Sequence, residues 1–218
     1  MKKKLVIFDM DGLLLDSERV TDLCWQVTFK EKNIDFNKED RQQLIGMGFD
    51  DAKALFNERF NDPEAFWNLR KHRETVFMKH LEEHGIDVKE GVAELLTLLK
   101  HKNIKIAVAS STLQERGEFL LKRTKIHDLF DYHIYGDMVK QTKPNPDIFL
   151  CVVNHFGVKV EETLVLEDSF YGVKAANNAN IDVIWVRDLV DIDQKGEVQY
   201  MNKFNSIKDA IPTINEII

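Results

Sequence analysis

Short apolar runs along the chain alternate with segments that carry apolar residues at helical spacing. Five runs are typical of strands buried on both faces: Leu5–Phe8, Ile104–Ala109, His133–Tyr135, Leu164–Leu166 and Val183–Val186. The helical segments between the later runs are Val92–Lys100, Leu113–Leu121, Ile148–Phe156 and Gly172–Ala179. Strands that alternate with helices form βαβ units. The pattern therefore predicts an α/β fold with a doubly wound parallel sheet.

One interval interrupts this alternation. Between about Glu18 and Gly85 the chain shows only amphipathic helical stretches: Val20–Lys30, Ala52–Phe60 and Glu64–His84. The interval is far longer than a single crossover helix requires. We therefore predict an all-helical cap domain over residues 16–87, inserted into an α/β core domain of residues 1–15 and 88–218. The aromatic residues predicted to form the core of the cap are Trp25, Phe29, Phe56, Phe60, Phe66, Trp67 and Phe77.

Composition and charge exclude several classes of protein. The 218 residues carry a formal net charge of −7, which disfavours a nucleic-acid surface. Cys24 and Cys151 lie far apart without metal-binding spacing, so two reduced thiols are expected. The first apolar run stops at Asp9, too early for a signal peptide, and no run reaches the roughly 20 residues of a membrane span. We predict a soluble, cytoplasmic, monomeric protein that binds neither nucleic acid nor membrane.

Polar residues follow three of the predicted strands. Asp9 and Asp11 come directly after the first strand, and their spacing of two can point both side chains to the same side. Ser110 ends the second strand, and Glu167–Asp168 close the fourth. Each signal alone fits a solvated turn or a helix cap. Because ligands bind at the carboxyl ends of parallel strands, their combination indicates a site at this edge of the sheet.

Two helix starts are predicted beside these residues. Thr112 and Glu115 have the spacing of a capping box, and Asn145 before Pro146 reads as an N-cap. Lys143 stands just before this second start, where the neighbouring prolines stiffen the backbone. Its ammonium group could therefore be directed at an anion.

The chemistry of these side chains points to phosphoryl transfer. Carboxylates placed close together repel one another unless a cation lies among them or one is protonated. Their hard oxygens are suited to Mg²⁺. Ser110 and Lys143 supply hydrogen bonds and positive charge to the oxygens of an anion. Together these groups predict a site that positions a phosphoryl group and neutralises its charge.

The order of the motifs resembles that of the haloacid dehalogenase-type phosphatases. The segment Asp9–Glu18, DMDGLLLDSE, looks like their first motif. Ser110, Lys143–Pro144 and Glu167–Ser169 are similar to the second, third and fourth motifs. The cap inserted after the first motif resembles the β-phosphoglucomutase and sugar-phosphatase branch. This resemblance implies Mg²⁺-dependent hydrolysis of a small phosphorylated metabolite, such as a sugar or polyol phosphate.

The resemblance also implies roles for the motif residues. Asp9 would be the nucleophile that becomes phosphorylated, Asp11 the general acid and base, and Lys143 the third catalytic residue. The phosphate-binding groups would come from Asp9, Met10, Asp11, Ser110, Ser111 and Lys143, with Met10, Asp11 and Ser111 acting through backbone N–H groups. The Mg²⁺ ligands would be Asp9, Asp11 through its backbone carbonyl, Asp168, and Glu167 through a water molecule. In the cap, Gly46, Met47, Gly48 and Phe49 would close over the site and select the substrate.

Two other functions are compatible with parts of the pattern. A sugar-phosphate mutase of the β-phosphoglucomutase type is the alternative within the family. Those mutases carry a cap histidine and a cap arginine where this chain has Thr21 and the region of Phe49, which favours a phosphatase. A phosphate-sensing receiver domain also combines acids, a hydroxyl and a lysine. However, its paired acids and its phosphoacceptor lie at different strand ends, unlike Asp9 and Asp11.

Overall fold

The computed structural model describes residues 2–37, 40, 41, 44, 49–194 and 196–218. The chain divides into two compact units, of which the first contains Met1–Asp16 and Asp87–Ile218 and the second contains Ser17–Ile86. The use of these units as a catalytic core and a substrate-selecting cap stays a prediction. None of the described helices combines the length and the apolar character that crossing a membrane requires.

The α-helices of the described residues are numbered along the chain. They are α1 (Ser17–Glu31), α2 (Phe49–Phe60), α3 (Ala65–His84), α4 (Val92–His101), α5 (Gln114–Arg123), α6 (Asp147–Phe156), α7 (Phe170–Asn178) and α8 (Ile207–Ile217). The first three belong to the second unit and the others to the first. Short 3₁₀ turns span His127–Leu129, Gly136–Met138, Val160–Glu162 and Ile192–Gln194.

A parallel sheet forms the centre of the first unit. Its strands are β1 (Leu5–Phe8), β2 (Lys105–Ser110), β3 (Tyr132–Tyr135), β4 (Thr163–Glu167), β5 (Asp182–Val186) and β6 (Asn202–Phe204). Among the described residues the strand order is β3-β2-β1-β4-β5-β6, with β1 between β2 and β4. The predicted doubly wound parallel sheet is confirmed, and the five predicted strands coincide with β1–β5.

The buried character of the strands explains why they were predictable. All four residues of β1 have no exposed surface, and β4 is buried along its whole length. Helices on the sheet contribute further apolar side chains to the same cluster, including Phe149 of α6 and Val173 of α7. A strand covered on both faces by helices needs an uninterrupted apolar run, which is the pattern seen in the sequence.

Two elements near the C-terminal end were not predicted. Strand β6 has only three residues, and its central Lys203 gives no apolar run. Helix α8 contains Pro212, which normally interrupts a helix because it lacks a backbone N–H. The helix is nevertheless capped by Ser206, and it buries Ile207 and Ile214. Burial of its apolar stripe therefore outweighs the local cost of the proline.

The second unit has an aromatic core of its own. Phe29 stacks on Phe36 with ring centroids 4.2 Å apart and on Trp25 at 5.2 Å. Phe56 of α2 is fully buried beside them. The predicted core is correct in most positions but wrong for Trp67, whose residue surface is 44% exposed. Neighbouring residues on a helix point about 100° apart, so Phe66 enters the core while Trp67 faces outward.

The chain segments that lead into and out of the second unit are hydrogen-bonded to each other within the first unit. Leu15 pairs with Val88, and the Lys89 N–H donates to the Leu14 carbonyl at 2.9 Å. The Lys89 ammonium donates to Asp188 at 2.5 Å and to Asp16 at 3.3 Å. Burial alone would lower the pKa of Lys89, but these two carboxylates raise it above its ordinary value. Lys89 therefore stays charged and links both connections to the end of β5.

We predict that Lys89→Met lowers the free energy of unfolding by about 1–3 kcal/mol, because it removes an ammonium group from a carboxylate that is largely buried. The Asp188 side chain in this pair is only 5% exposed. The matched control is Lys208→Met, which removes an ion pair with Glu90 whose side chains are 59% and 67% exposed. Urea unfolding should show little change for the control. Equal losses in the two variants would contradict a special contribution of Lys89.

Candidate active site

Three neighbouring strands bring the predicted site residues to one edge of the sheet. Strand β1 lies between β2 and β4, so Asp9 follows β1 beside Ser110 at the end of β2 and Glu167 at the end of β4. The Asp9 N–H donates to the Leu166 carbonyl at 3.0 Å, which continues the pairing of β1 with β4 by one residue. Strand register therefore fixes the backbone positions of these three side chains.

A buried lysine joins two of the acids. The Lys143 ammonium donates to the Asp9 carboxylate, to Glu167 Oε1 at 2.7 Å and to the Ala109 carbonyl at 2.9 Å. The Lys143 side chain is 5% exposed and that of Glu167 is fully buried. Burial alone would lower the pKa of Lys143, but Asp9 and Glu167 raise it. The lysine is therefore a permanent cation between β1 and β4.

The start of α7 fixes the other oxygen of Glu167. Ser169 donates to Glu167 Oε2 through its N–H at 2.8 Å and its hydroxyl at 3.0 Å. The Ser169 hydroxyl oxygen also accepts the Gly172 N–H at 3.0 Å, so Ser169 is the N-cap of α7. A Cβ atom on Gly172 would lie 1.6 Å from Glu167 Oε1. Only glycine allows this close approach of the helix to the acid.

Three buried acids form a cluster that could hold a metal ion. Asp9, Glu167 and Asp168 each offer a carboxylate oxygen, and these oxygens lie within 4.8 Å of one another. Burial raises the pKa of Asp9 well above its ordinary value; Lys143 opposes this shift, and Glu167 and Asp11 add to it. A bound cation would offset the cost of burying these charges. Hard oxygen donors in this number fit Mg²⁺.

A glycine in the first motif allows Asp168 to reach the cluster. Gly12 has a φ of +85°, in the region that favours glycine, and a Cβ atom there would lie 2.4 Å from Asp168 Oδ2. The same atom would lie 3.0 Å from Asp188 Oδ2. Gly12 is therefore required for two reasons: the turn needs its positive φ, and the side chains of Asp168 and Asp188, which follow β4 and β5, need the space that a Cβ would fill.

Asp11 has different neighbours from Asp9. Its Oδ2 atom accepts the Thr112 hydroxyl at 2.7 Å and the Ser110 hydroxyl at 3.4 Å. The Ser110 hydroxyl oxygen in turn accepts the Thr112 N–H at 3.0 Å. The side chain of Asp11 is thus oriented by the β2–α5 connection. The predicted metal contact of Asp11 through its backbone carbonyl stays a prediction.

The predicted capping box at Thr112 is wrong. Helix α5 begins at Gln114, and its N-cap residue, Leu113, makes no side-chain cap. The Thr112 hydroxyl donates to Asp11 instead, which makes Thr112 a site residue that the sequence reasoning missed. Its position two residues after Ser110 was the available signal. The capping pattern explains Thr112 locally, and the local sequence does not reveal a contact with an acid 101 positions away.

The predicted N-cap at Asn145 is also wrong. Helix α6 begins at Asp147, and Pro146 occupies the N-cap position. The Asn145 side chain donates to the Thr142 carbonyl at 3.3 Å, and its backbone N–H donates to the same oxygen at 3.0 Å. Asn145 therefore closes the turn that carries Lys143, and it shapes the approach of the lysine to the site rather than the helix.

Of the remaining predicted site residues, Met10 and Ser111 are among those the structure describes, and most of the predicted cap segment is not. Met10 is fully buried and Ser111 is exposed, and both were predicted to act through backbone N–H groups. Gly46, Met47 and Gly48 lie outside the described residues, and so does the side chain of Phe49, where α2 begins. The predicted selection of the substrate by this segment stays a prediction.

Comparisons with known proteins agree with the fold and with the order of the motifs. A family profile described as haloacid dehalogenase-like hydrolase matches residues 6–186. The phosphorylated carbohydrates phosphatase of Thermotoga maritima is 32% identical over 184 residues, which cover 83% of each chain. The beta-phosphoglucomutase of Bacillus subtilis is 26% identical over 190 residues, which cover 84% of this chain and 83% of that one.

A solved structure supports the same fold. The crystal structure of CbbY from Rhodobacter sphaeroides in complex with phosphate matches with a TM-score of 0.78 over 96% of each chain. Its sequence identity of 23% is low, so this likeness bears on the fold alone.

We predict that Gly172→Ala lowers the free energy of unfolding by about 3 kcal/mol, because the new Cβ would overlap Glu167 unless α7 or the acid moved. The matched control is Gly157→Ala at the end of α6, where a Cβ would meet no atom of the described residues within 4 Å. The control should lose only about 1 kcal/mol from its positive φ. Urea unfolding of both variants measures the difference. A loss at Gly172 no greater than the loss at Gly157 would contradict the close contact.

Proposed function

The chain belongs to the haloacid dehalogenase-like hydrolase family, and we propose that it is a Mg²⁺-dependent phosphatase of small phosphate monoesters such as sugar or polyol phosphates. The observation that carries this proposal is the contact of Lys143 with both Asp9 and Glu167, beside Asp168. A permanent cation next to an acid at the carboxyl ends of parallel strands suits the binding of a phosphoryl group near a carboxylate nucleophile.

Asp9 is the proposed nucleophile. One of its carboxylate oxygens attacks phosphorus while the bond between phosphorus and the leaving alcohol oxygen breaks, which gives a phosphoaspartate. Water then attacks this phosphorus, and the bond to Asp9 breaks to release inorganic phosphate. Lys143 supports the role because its ammonium, in contact with Asp9, places a positive charge beside the phosphoryl group that Asp9 would attack. When bound, Mg²⁺ would neutralise negative charge on the phosphoryl oxygens and on the acids.

Asp11 is the proposed general acid and base. It donates a proton to the leaving alcohol oxygen in the first displacement and accepts one from the attacking water in the second. The hydroxyls of Thr112 and Ser110 support this role because they hold its carboxylate at a defined place. Ser110, together with backbone N–H groups of Met10, Asp11 and Ser111, is proposed to bind the phosphoryl group.

A mutase is the second candidate, and similarity to the Bacillus subtilis beta-phosphoglucomutase supports it. In that case a phosphoryl group would pass from the protein to a second hydroxyl of the sugar instead of to water. The identity is higher to the Thermotoga maritima phosphatase. The absence of an imidazole at Thr21 also favours hydrolysis.

We predict that the purified protein with Mg²⁺ releases inorganic phosphate from one or more members of a panel of phosphorylated sugars and polyols. Asp9→Asn keeps the shape of the side chain but should reduce release to background, because an amide is a poor nucleophile. Conversion of one sugar phosphate into its isomer without release of phosphate would support the mutase. Equal release by wild type and Asp9→Asn would contradict Asp9 as the nucleophile.

We predict that Mg²⁺ affinity rises with pH. Because burial raises the pKa of Asp9, its carboxyl group keeps a proton to a higher pH than usual, and a cation must displace that proton. Calorimetry in two buffers of different ionisation enthalpy should therefore detect more proton release on binding at low pH than at high pH. Asp168→Asn should weaken binding, whereas Asp128→Asn, at a side chain that is 98% exposed, should not. Equal affinity in both variants would contradict the proposed site.

A further inference from the structure

Trp185 of β5 is a direct neighbour of two candidate metal ligands, Glu167 and Asp168. It is the fourth residue of β5, and the strand register pairs it with Glu167 of β4. Its indole N–H donates to the backbone carbonyl of Asp168 at 2.9 Å, and the residue has no exposed surface. A tryptophan within the apolar run of β5 reads as an ordinary core residue in the sequence. The hydrogen bond gives it a direct connection to the acid cluster.

A cation lies over one face of the indole ring. The Lys203 ammonium lies 4.2 Å from the centroid of the Trp185 ring. Asp191 and Asp193 each accept a hydrogen bond from this ammonium at 3.0 Å. A cation over an indole face is attracted by the π electrons. It also draws electron density from the ring, which favours donation by the indole N–H.

The carbonyl that accepts this hydrogen bond occupies a sensitive position. Asp168 lies between the last residue of β4, Glu167, and the N-cap of α7, Ser169. The chain passes there from strand to helix, and the backbone conformation of Asp168 sets the direction in which its side chain leaves the chain. Hydrogen-bond partners of the ligating side chains commonly contribute about 10–100-fold to metal affinity, and a partner of the ligand's backbone is expected to act at the low end of this range.

We propose that Trp185 is a positioning residue for metal binding, which acts by fixing the Asp168 carbonyl and through it the carboxylate that faces Asp9 and Glu167. The inference rests on the Mg²⁺ site of the proposed function. A role in packing alone would affect the stability of the first unit and leave metal affinity unchanged.

The first test is calorimetric titration of the substrate-free protein with Mg²⁺. Trp185→Phe keeps an aromatic ring and removes the N–H donor, so we expect the Kd for Mg²⁺ to rise about 10-fold. The matched control is Trp67→Phe, at an exposed tryptophan of the second unit, which should bind like wild type. If wild type binds Mg²⁺ and a folded Trp185→Phe variant binds it equally well, the inference is overturned and the proposed function stands. If wild type binds no Mg²⁺, both are overturned.

A second measurement does not depend on the folding of Trp185→Phe, because it follows the Trp185 indole of the wild-type protein. The chain has three tryptophans, so its NMR spectrum contains three indole N–H resonances. Trp67→Phe and Trp25→Phe identify two of them, and the third belongs to Trp185. Saturating wild type with Mg²⁺ should shift the Trp185 indole resonance and leave that of Trp67 in place. An unshifted Trp185 resonance at saturation would overturn the proposed coupling.

Discussion

The contact of the Lys143 ammonium with the carboxylates of Asp9 and Glu167 is the interaction on which the site depends. The parallel sheet places these two acids at adjacent strand ends, where their burial and mutual repulsion are costly. Lys143 enters from the turn before α6 and supplies the compensating charge. The sheet topology that creates the site therefore also creates the need for the lysine.

Residues without reactive groups determine how closely the acids can approach. Gly172 allows α7 to reach Glu167, and Gly12 allows Asp168 to reach the first motif. Ser169 holds Glu167 while it caps the same helix. The indole of Trp185 fixes the peptide of Asp168 from the neighbouring strand. Besides Lys143, the chemistry proposed for the acids thus depends on shape and on neutral hydrogen-bond donors around them.

The parts of the fold that the sequence predicted are those in which local pattern and burial coincide. Strands β1–β5 each contain an apolar run, and the acids lie at the ends of β1 and β4, so both the sheet and the motif residues could be located. Thr112 and Trp185 were missed because their important partners, Asp11 and Asp168, are distant in sequence. The local sequence already explained each residue, Thr112 as a helix cap and Trp185 as part of the core. Which hydrogen bond a side chain forms depends on tertiary proximity, which periodicity does not reveal.

The most direct test of covalent catalysis by Asp9 is intact-mass analysis of acid-quenched reactions with an activated phosphate ester. A good leaving group needs little protonation, so Asp11→Asn should slow the first displacement less than the attack of water. This variant should accumulate a protein heavier by one phosphoryl group, and the doubly substituted Asp9→Asn, Asp11→Asn protein should not. Hydrolysis that persists in Asp9→Asn, with no phosphorylated protein in Asp11→Asn, would contradict a phosphoaspartate and favour direct attack by water.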